Sequence, residues 1–263
     1  MVVPYKVRAA VPTAFAALLF FMSGIPSGAT PDVLDVGRFS AAVPQGELPE
    51  GWKPLTFPKI AWHTSYGLVK DGEDVVVRAE SRAASSGLIR ELSIDPKEYP
   101  VVQWRWKVMT AIEKSHVTSK QGDDYPARLY VTFAYDSSKV GILDKAKYEL
   151  ARLAYGQYPP WGAVNYIWGN KEPIGMMAPN PYTDRTRMIV VETGTDRLDR
   201  WITEERNVYD DYHKAFGEEP PMISGVAIMT DTDNTKEYAL AYYGDVFFKR
   251  NSGGKTAVHQ SSH

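Results

Sequence analysis

Apolar and polar positions alternate along much of this chain, and that period predicts a protein built mainly from β-strands. The cleanest case is 101–108, where Val102, Trp104, Trp106 and Val108 share one face and Gln103, Arg105 and Lys107 the other. Two indoles beside two valines are costly to leave in water, so that face is expected inward and Arg105 outward. Residues 127–135 repeat the pattern: Ala127, Leu129, Val131, Phe133 and Tyr135 oppose Arg128, Tyr130 and Thr132. Further strands are expected at 33–36, 87–92, 163–168, 185–192, 223–229 and 238–248. A hairpin joins 66–69 to 74–81 through Lys70-Asp71-Gly72. The period changes at 143–155, where Leu143, Ala146, Leu150, Leu153 and Ala154 recur at helical spacing before Gly156. A shorter helix is expected over 210–216, ahead of Gly217, after a polar segment at 199–207.

Many short strands, turn signals between them and two modest helices predict one antiparallel β-sandwich over residues 30–250. The first 29 residues read differently. Lys6 and Arg8 precede an apolar run from Val11 to Met22, and Ser27-Gly28-Ala29 supplies small residues for cleavage. This is the order of a secretory signal peptide, and the run is short of the roughly 20 residues that span a bilayer. An exported, periplasmic or secreted protein is expected, with no membrane insertion once the signal is cleaved. Residues 251–263 are Gly, Ser, Gln and His with little else and are expected to be a disordered tail.

Composition then narrows the chemistry. With 0 Cys, thiol catalysis, thiolate metal sites and disulfides are excluded. The formal charge is −2, and loss of Lys6 and Arg8 with the signal takes it to −4, which gives no basis for a nucleic-acid partner. There is no His-Glu-x-x-His, no phosphate-cradling Gly-rich loop and no G-x-S-x-G, and the 5 His are scattered, so neither a metal nor a cofactor is assigned.

What remains is carboxylates, arginines and aromatics near strand ends. Asp123 and Asp124 open the strand that carries Arg128 and Tyr130. Adjacent carboxylates there can hydrogen-bond sugar hydroxyls, ligate a cation or work as an acid/base pair; they fit a capped, solvated loop as well. Asp231, Asp233, Asn234 and Thr235 offer alternating oxygens. Lys236 and Tyr242 stand where a calcium-binding EF-hand needs Gly and Glu, so a turn held by Asx hydrogen bonds is the competing reading. Arg105, and Arg185 with Arg187, could fork onto acidic ligands or onto the protein's own acids. Trp168, with Asn165 and Tyr166, could form an aromatic platform for a sugar ring or simply fill the core.

Five stretches carry a resemblance: FPKIAWHTSYGLVKDG (57–72), SGLIRELSIDPKEYPVVQWRWKV (86–108), GDDYPARLYVTF (122–133), NPYTDRTRMIVVETG (180–194) and ISGVAIMTDTDNTKEYALAYYGD (223–245). They resemble an exported, mostly proteobacterial family known as domain of unknown function 3047. That resemblance implies a single exported domain and transfers no catalytic residue. The final strands, ending Tyr243-Gly244-Asp245-Val246, resemble the closing strands of galactose-binding-like jelly rolls, which implies a jelly-roll sandwich.

Three functions fit. The first is a glycan-binding protein using Arg105, Asp123, Asp124, Arg128, Tyr130, Trp168, Asp231 and Asp233 on a sheet face. The second is a polysaccharide hydrolase or lyase drawing carboxylates from Asp123, Asp124, Glu192, Glu204 or Asp233. The third is a non-catalytic structural or assembly factor of the envelope.

Overall fold

Two β-sheets face each other across a shared apolar layer in the computed structural model, which describes residues 31–136, Lys145 and 159–250. The signal segment, the tail and all of the expected 143–155 helix except Lys145 lie outside the described residues. In chain order the strands are β1 (Val33–Gly37), β2 (Trp52–Leu55), β3 (Ser65–Asp71), β4 (Asp74–Arg82), β5 (Ser85–Ile94) and β6 (Val101–Val108). Then follow β7 (Arg128–Phe133), β8 (Gly162–Gly169), β9 (Met177–Asn180), β10 (Thr183–Thr193) and β11 (Ile202–Asn207). Helix α1 (Val208–Phe216), β12 (Ile223–Asp231) and β13 (Tyr238–Lys249) complete the set. Among the described residues no helix is long and apolar enough to cross a membrane.

The first sheet runs β11-β6-β13-β4-β3, with β1 on the far half of β13. The second runs β2-β5-β12-β7-β8-β10-β9. The mostly-β sandwich matches expectation; the purely antiparallel arrangement does not, because β8 and β10 pair in parallel. Both strands are buried through their middles, with apolar residues on each face, the signature of interior strands that suits parallel pairing. β9 then folds back antiparallel along the outer edge of β10. The polar segment at 199–207 also departs from expectation. Its second half is β11, an edge strand that buries Ile202 and leaves Thr203 and Glu205 in solvent, so its apolar signal is a single residue.

The alternation read in 101–108 holds. Trp104 and Trp106 are buried, edge to face at 5.3 Å, and Trp104 lies 5.1 Å from Tyr166 of the facing sheet. Helix α1 begins where the Asn207 side chain accepts the Asp210 N–H and stops at Gly217, whose φ of 72° is left-handed. A smaller apolar cluster (Val117, Tyr125, Ile167, Ala178, Met188 and Val190) lies on the other side of the second sheet. There the 109–127 connection is drawn in by Glu172, whose carboxylate accepts the N–H groups of Val117, Asn170 and Lys171. Gly122 permits the close fit, since a Cβ there would stand 2.8 Å from backbone atoms of Lys114 and His116.

Candidate functional site on the outer face of the second sheet

Strand alternation turns Arg128, Tyr130 and Thr132 of β7, Ala227, Met229 and Asp231 of β12, and Ser85 and Ile89 of β5 away from the sandwich core. They form the floor of a cavity of about 530 Å³. Leu55, Phe57, Lys59 and Ile60 wall one side, while Asp123, Tyr182, Asp233 and Asn234 close the opposite end. Most of the lining is apolar, and the carboxylates gather at that end, with Lys59 on the wall and Thr132 on the floor as polar exceptions.

Arg128 organises that end. Its Nε donates to Asp231 Oδ1 (2.8 Å) and Nη2 to Asp231 Oδ2 (2.5 Å), a two-pronged pair with a residue 103 positions away. Nη1 donates to Asp123 Oδ1 (3.1 Å) and the Tyr130 hydroxyl (3.3 Å), and Nη2 also to the Asp123 carbonyl (2.5 Å). The Tyr125 ring covers the guanidinium at 4.4 Å. All five N–H donors are therefore committed within the protein. Arg128 braces the cavity and has nothing left to offer a ligand.

The acids divide by role. Asp123 accepts from Arg128 and from Asn180 Nδ2 (3.0 Å). Asp124 is fully buried and turns the other way, accepting from the Asn234 side chain (3.1 Å) and the Thr235 N–H (2.6 Å), so it pins the 232–235 turn and does not line the cavity. Asp231 is lifted to about pKa 8 by burial, opposed by Arg128 and reinforced by Asp124 and Asp123. For Arg128 burial acts downward, but Asp231, Tyr130 and Asp123 outweigh it and hold the guanidinium charged. Tyr130 is pushed up to about 12, chiefly by burial. Asp233 is half-buried, raised by burial and by Asp124, and has no ion-pair partner among the described residues. It is the carboxylate best placed for a ligand.

Asp124, Asp231 and Asp233 each present an oxygen, all within 4.8 Å of one another, a spacing that could hold a cation. Those of Asp124 and Asp231 already accept hydrogen bonds, and Arg128 supplies positive charge beside them.

The remaining expected residues lie elsewhere. Arg105 belongs to the first sheet, where it pairs with Asp74 (2.7 Å) and stacks on Trp201 (4.8 Å). Trp168 is a core residue whose Nε1 donates to the Gly194 carbonyl (3.0 Å), because even-numbered positions of β8 face the sandwich interior. Glu192 and Glu204 do not line the cavity. Glu192 pairs with Arg197, and Glu204 is lifted to about pKa 7 by burial and by Glu192. Arg185 and Arg187 stack on Trp161 and Phe216. Asn165, beside Tyr130 across the β7–β8 pair, is buried with both amide atoms unpartnered. Sequence reading missed the 55–60 wall, which has no strand period, and Tyr182, which stands beyond the end of β9.

The chain belongs to the family described as "Protein of unknown function (DUF3047)", whose model matches residues 50–247. No curated protein matches it. Among solved structures it is similar to the carbohydrate recognition domain of Emp47p, at 10% identity and TM-score 0.41, covering 84% of this chain and 95% of that one. It is also similar to the glycoside hydrolase domain of Endo-D from Streptococcus pneumoniae R6, at 9% identity and TM-score 0.30, covering 76% of this chain and 22% of that one. At these scores neither neighbour transfers a residue or an activity.

Proposed function

We propose that this DUF3047 member is an exported, periplasmic or secreted protein that binds a saccharide on the outer face of its second sheet. The observation that carries this reading is a mainly apolar cavity with aromatic rings in its lining and carboxylate and amide acceptors gathered at one end. A sugar ring has the matching character: C–H faces that rest on rings such as Phe57, Tyr130 and Tyr182, and hydroxyls that donate to Asp233 and the Asn234 side chain. Arg128 holds the acidic end rigid before a ligand arrives, which lowers the ordering cost of binding. Calorimetric titration with a panel of neutral oligosaccharides tests it. Binding that disappears in Asp233→Asn is expected, and a panel without a single binder overturns the reading.

A second reading, hydrolysis, has one observation in its favour. Asp231, lifted to about 8, and Asp233 present carboxylate oxygens within 4.8 Å of each other beside the cavity. Two carboxyl groups on one cavity are the pairing that glycoside hydrolysis uses. Release of reducing ends from the same panel, lost in Asp233→Asn, would favour it over simple binding.

A further inference from the structure

Trp62 is out of character for this chain. Of the 7 Trp, all within the described residues, it is the one that stands in solvent, 75% exposed, while Trp52, Trp104, Trp106, Trp161 and Trp168 are buried. Its backbone is not loose. The Trp62 carbonyl accepts the Ser85 N–H (3.0 Å), and two residues on, Thr64 Oγ1 donates to the Thr230 carbonyl (2.7 Å) while the Thr64 carbonyl accepts Ser86 Oγ (3.2 Å). The segment is thus fastened to β5 and β12 at the acidic end of the cavity, because Ser85 lines the cavity and pairs with Asp231. On the other side of that end stands Tyr182, 56% exposed, its hydroxyl fixed between Asn234 Oδ1 (2.9 Å) and the Lys120 carbonyl (3.1 Å).

A large exposed ring on a backbone anchored beside Ser85, which lines a cavity sized for one small ligand, can serve as a platform for whatever protrudes from that cavity. We propose that Trp62 forms an outer subsite that takes the next ring of a saccharide chain, so that the ligand is an oligomer or polymer entering end-on. This rests on the saccharide reading above. The cavity holds the terminal ring, and the chain leaves past Asp233 to lie on the indole. Covering the indole removes apolar area from water without ordering any backbone, so each chain gains affinity that a monosaccharide cannot.

The test uses the full mature chain and the monomer, dimer and hexamer of glucose (β-1,4 and α-1,4) and of N-acetylglucosamine. Binding is followed by calorimetry and by acrylamide quenching of tryptophan fluorescence. The expected result is an affinity roughly tenfold higher for the hexamer than for the monomer in the best-binding series, about the worth of one good aromatic contact. Trp62→Ala should abolish that gain and leave monomer affinity unchanged, and the hexamer but not the monomer should shield wild-type fluorescence from acrylamide. Because Trp62 is exposed, its removal leaves the fold intact, which an unchanged melting temperature confirms. Equal affinity for monomer and hexamer, or a gain that survives in Trp62→Ala, overturns the subsite while leaving the saccharide reading standing. Loss of binding to phosphatidylglycerol vesicles in Trp62→Ala, with the oligomer gain intact, also overturns it and assigns the ring to a membrane surface. No binding in any series overturns both readings.

Discussion

The outer faces of the two sheets start from the same sequence pattern and end as different surfaces. Each carries an outward arginine, Arg105 in the middle of β6 and Arg128 at the start of β7, flanked by apolar residues that point into the sandwich. On the first sheet Arg105, Lys107 and Arg78 meet Asp74, Asp71 and Glu80 in partly exposed pairs. On the second sheet the 109–127 connection and the β9–β10 hairpin close over one end, so that Arg128 retains 2% side-chain exposure against 28% for Arg105. Strand period sets which way a side chain points; the connections that pass over it set its dielectric, and with it the worth of each ion pair.

The largest expected effect tests that difference directly. Arg128→Ala strands Asp123 and Asp231 in the interior and should cost about 3–5 kcal/mol, the loss typical of breaking a buried pair. Urea denaturation measures it. A loss below about 1 kcal/mol would mean that the Arg128 site is as wet as the Arg105 site.

The two faces should also respond to pH in opposite directions. Lys107 and Trp201 hold Asp71 below its ordinary pKa, and Arg78 and Arg82 do the same for Glu80. The stabilisation from these two acids is present above about pH 4 and fades as pH falls through their folded values. Asp231, raised to about 8, binds its proton more tightly folded than unfolded. Its contribution is complete below about pH 4 and is lost as pH climbs through 8, at no more than about 1.4 kcal/mol per pH unit. Glu204, raised to about 7, acts in the same sense, so Glu204→Gln is the proper background. In that background Asp231→Asn should flatten the decline in stability between pH 5 and 8, and Asp71→Asn should leave it unchanged. A slope unaffected by Asp231→Asn would show that Arg128 keeps that carboxylate ionised throughout.

Binding separates the acids within the second face. Asp233→Asn should lower affinity for the oligosaccharide panel at least about tenfold with little change in melting temperature, since Asp233 is half-buried and joins no ion pair among the described residues. Asp124→Asn should do the reverse. Its carboxylate accepts the Thr235 N–H and the Asn234 amide, bonds to a charged acceptor worth about 1.5–3 kcal/mol each. If Asp124→Asn instead removes binding and spares stability, the 232–235 turn is part of the ligand's surface.

Much of this was open to sequence reasoning, and the limits have a physical cause. Alternation in 101–108 and 127–135 gave the inward tryptophans and the outward Arg128 and Tyr130, because period 2 is a local property of extended backbone. The nearness of Asp123 to Arg128 was legible from five residues of spacing. That Asp231 would be the main partner of Arg128 was not, because the pairing of β7 with β12 is a long-range choice among many strands. Trp168 misled because a β8 buried on both faces carries no alternation to say which face is which. Arg105 misled because one sheet's polar face reads like another's until the covering connections are placed.

The smallest effect concerns the open face. Arg105 lies over Trp201 and pairs with Asp74, and Gly244 of the adjacent β13 leaves it room: a Cβ there would fall inside contact distance of the Arg105 side chain. The neighbour in the way is a long, flexible side chain with solvent beside it. Gly244→Ala should therefore cost under about 1 kcal/mol, and so should Arg105→Ala, whose ion pair is solvent-exposed. The informative quantity is their coupling. Once Arg105 is Ala, nothing stands in the way of the added methyl group, so the double variant should be more stable than the sum of the single losses allows. Additive losses in urea denaturation would mean that Gly244 serves the backbone of β13, where its register against β6 shifts between Tyr243 and Val246, and that Arg105 merely rests on it.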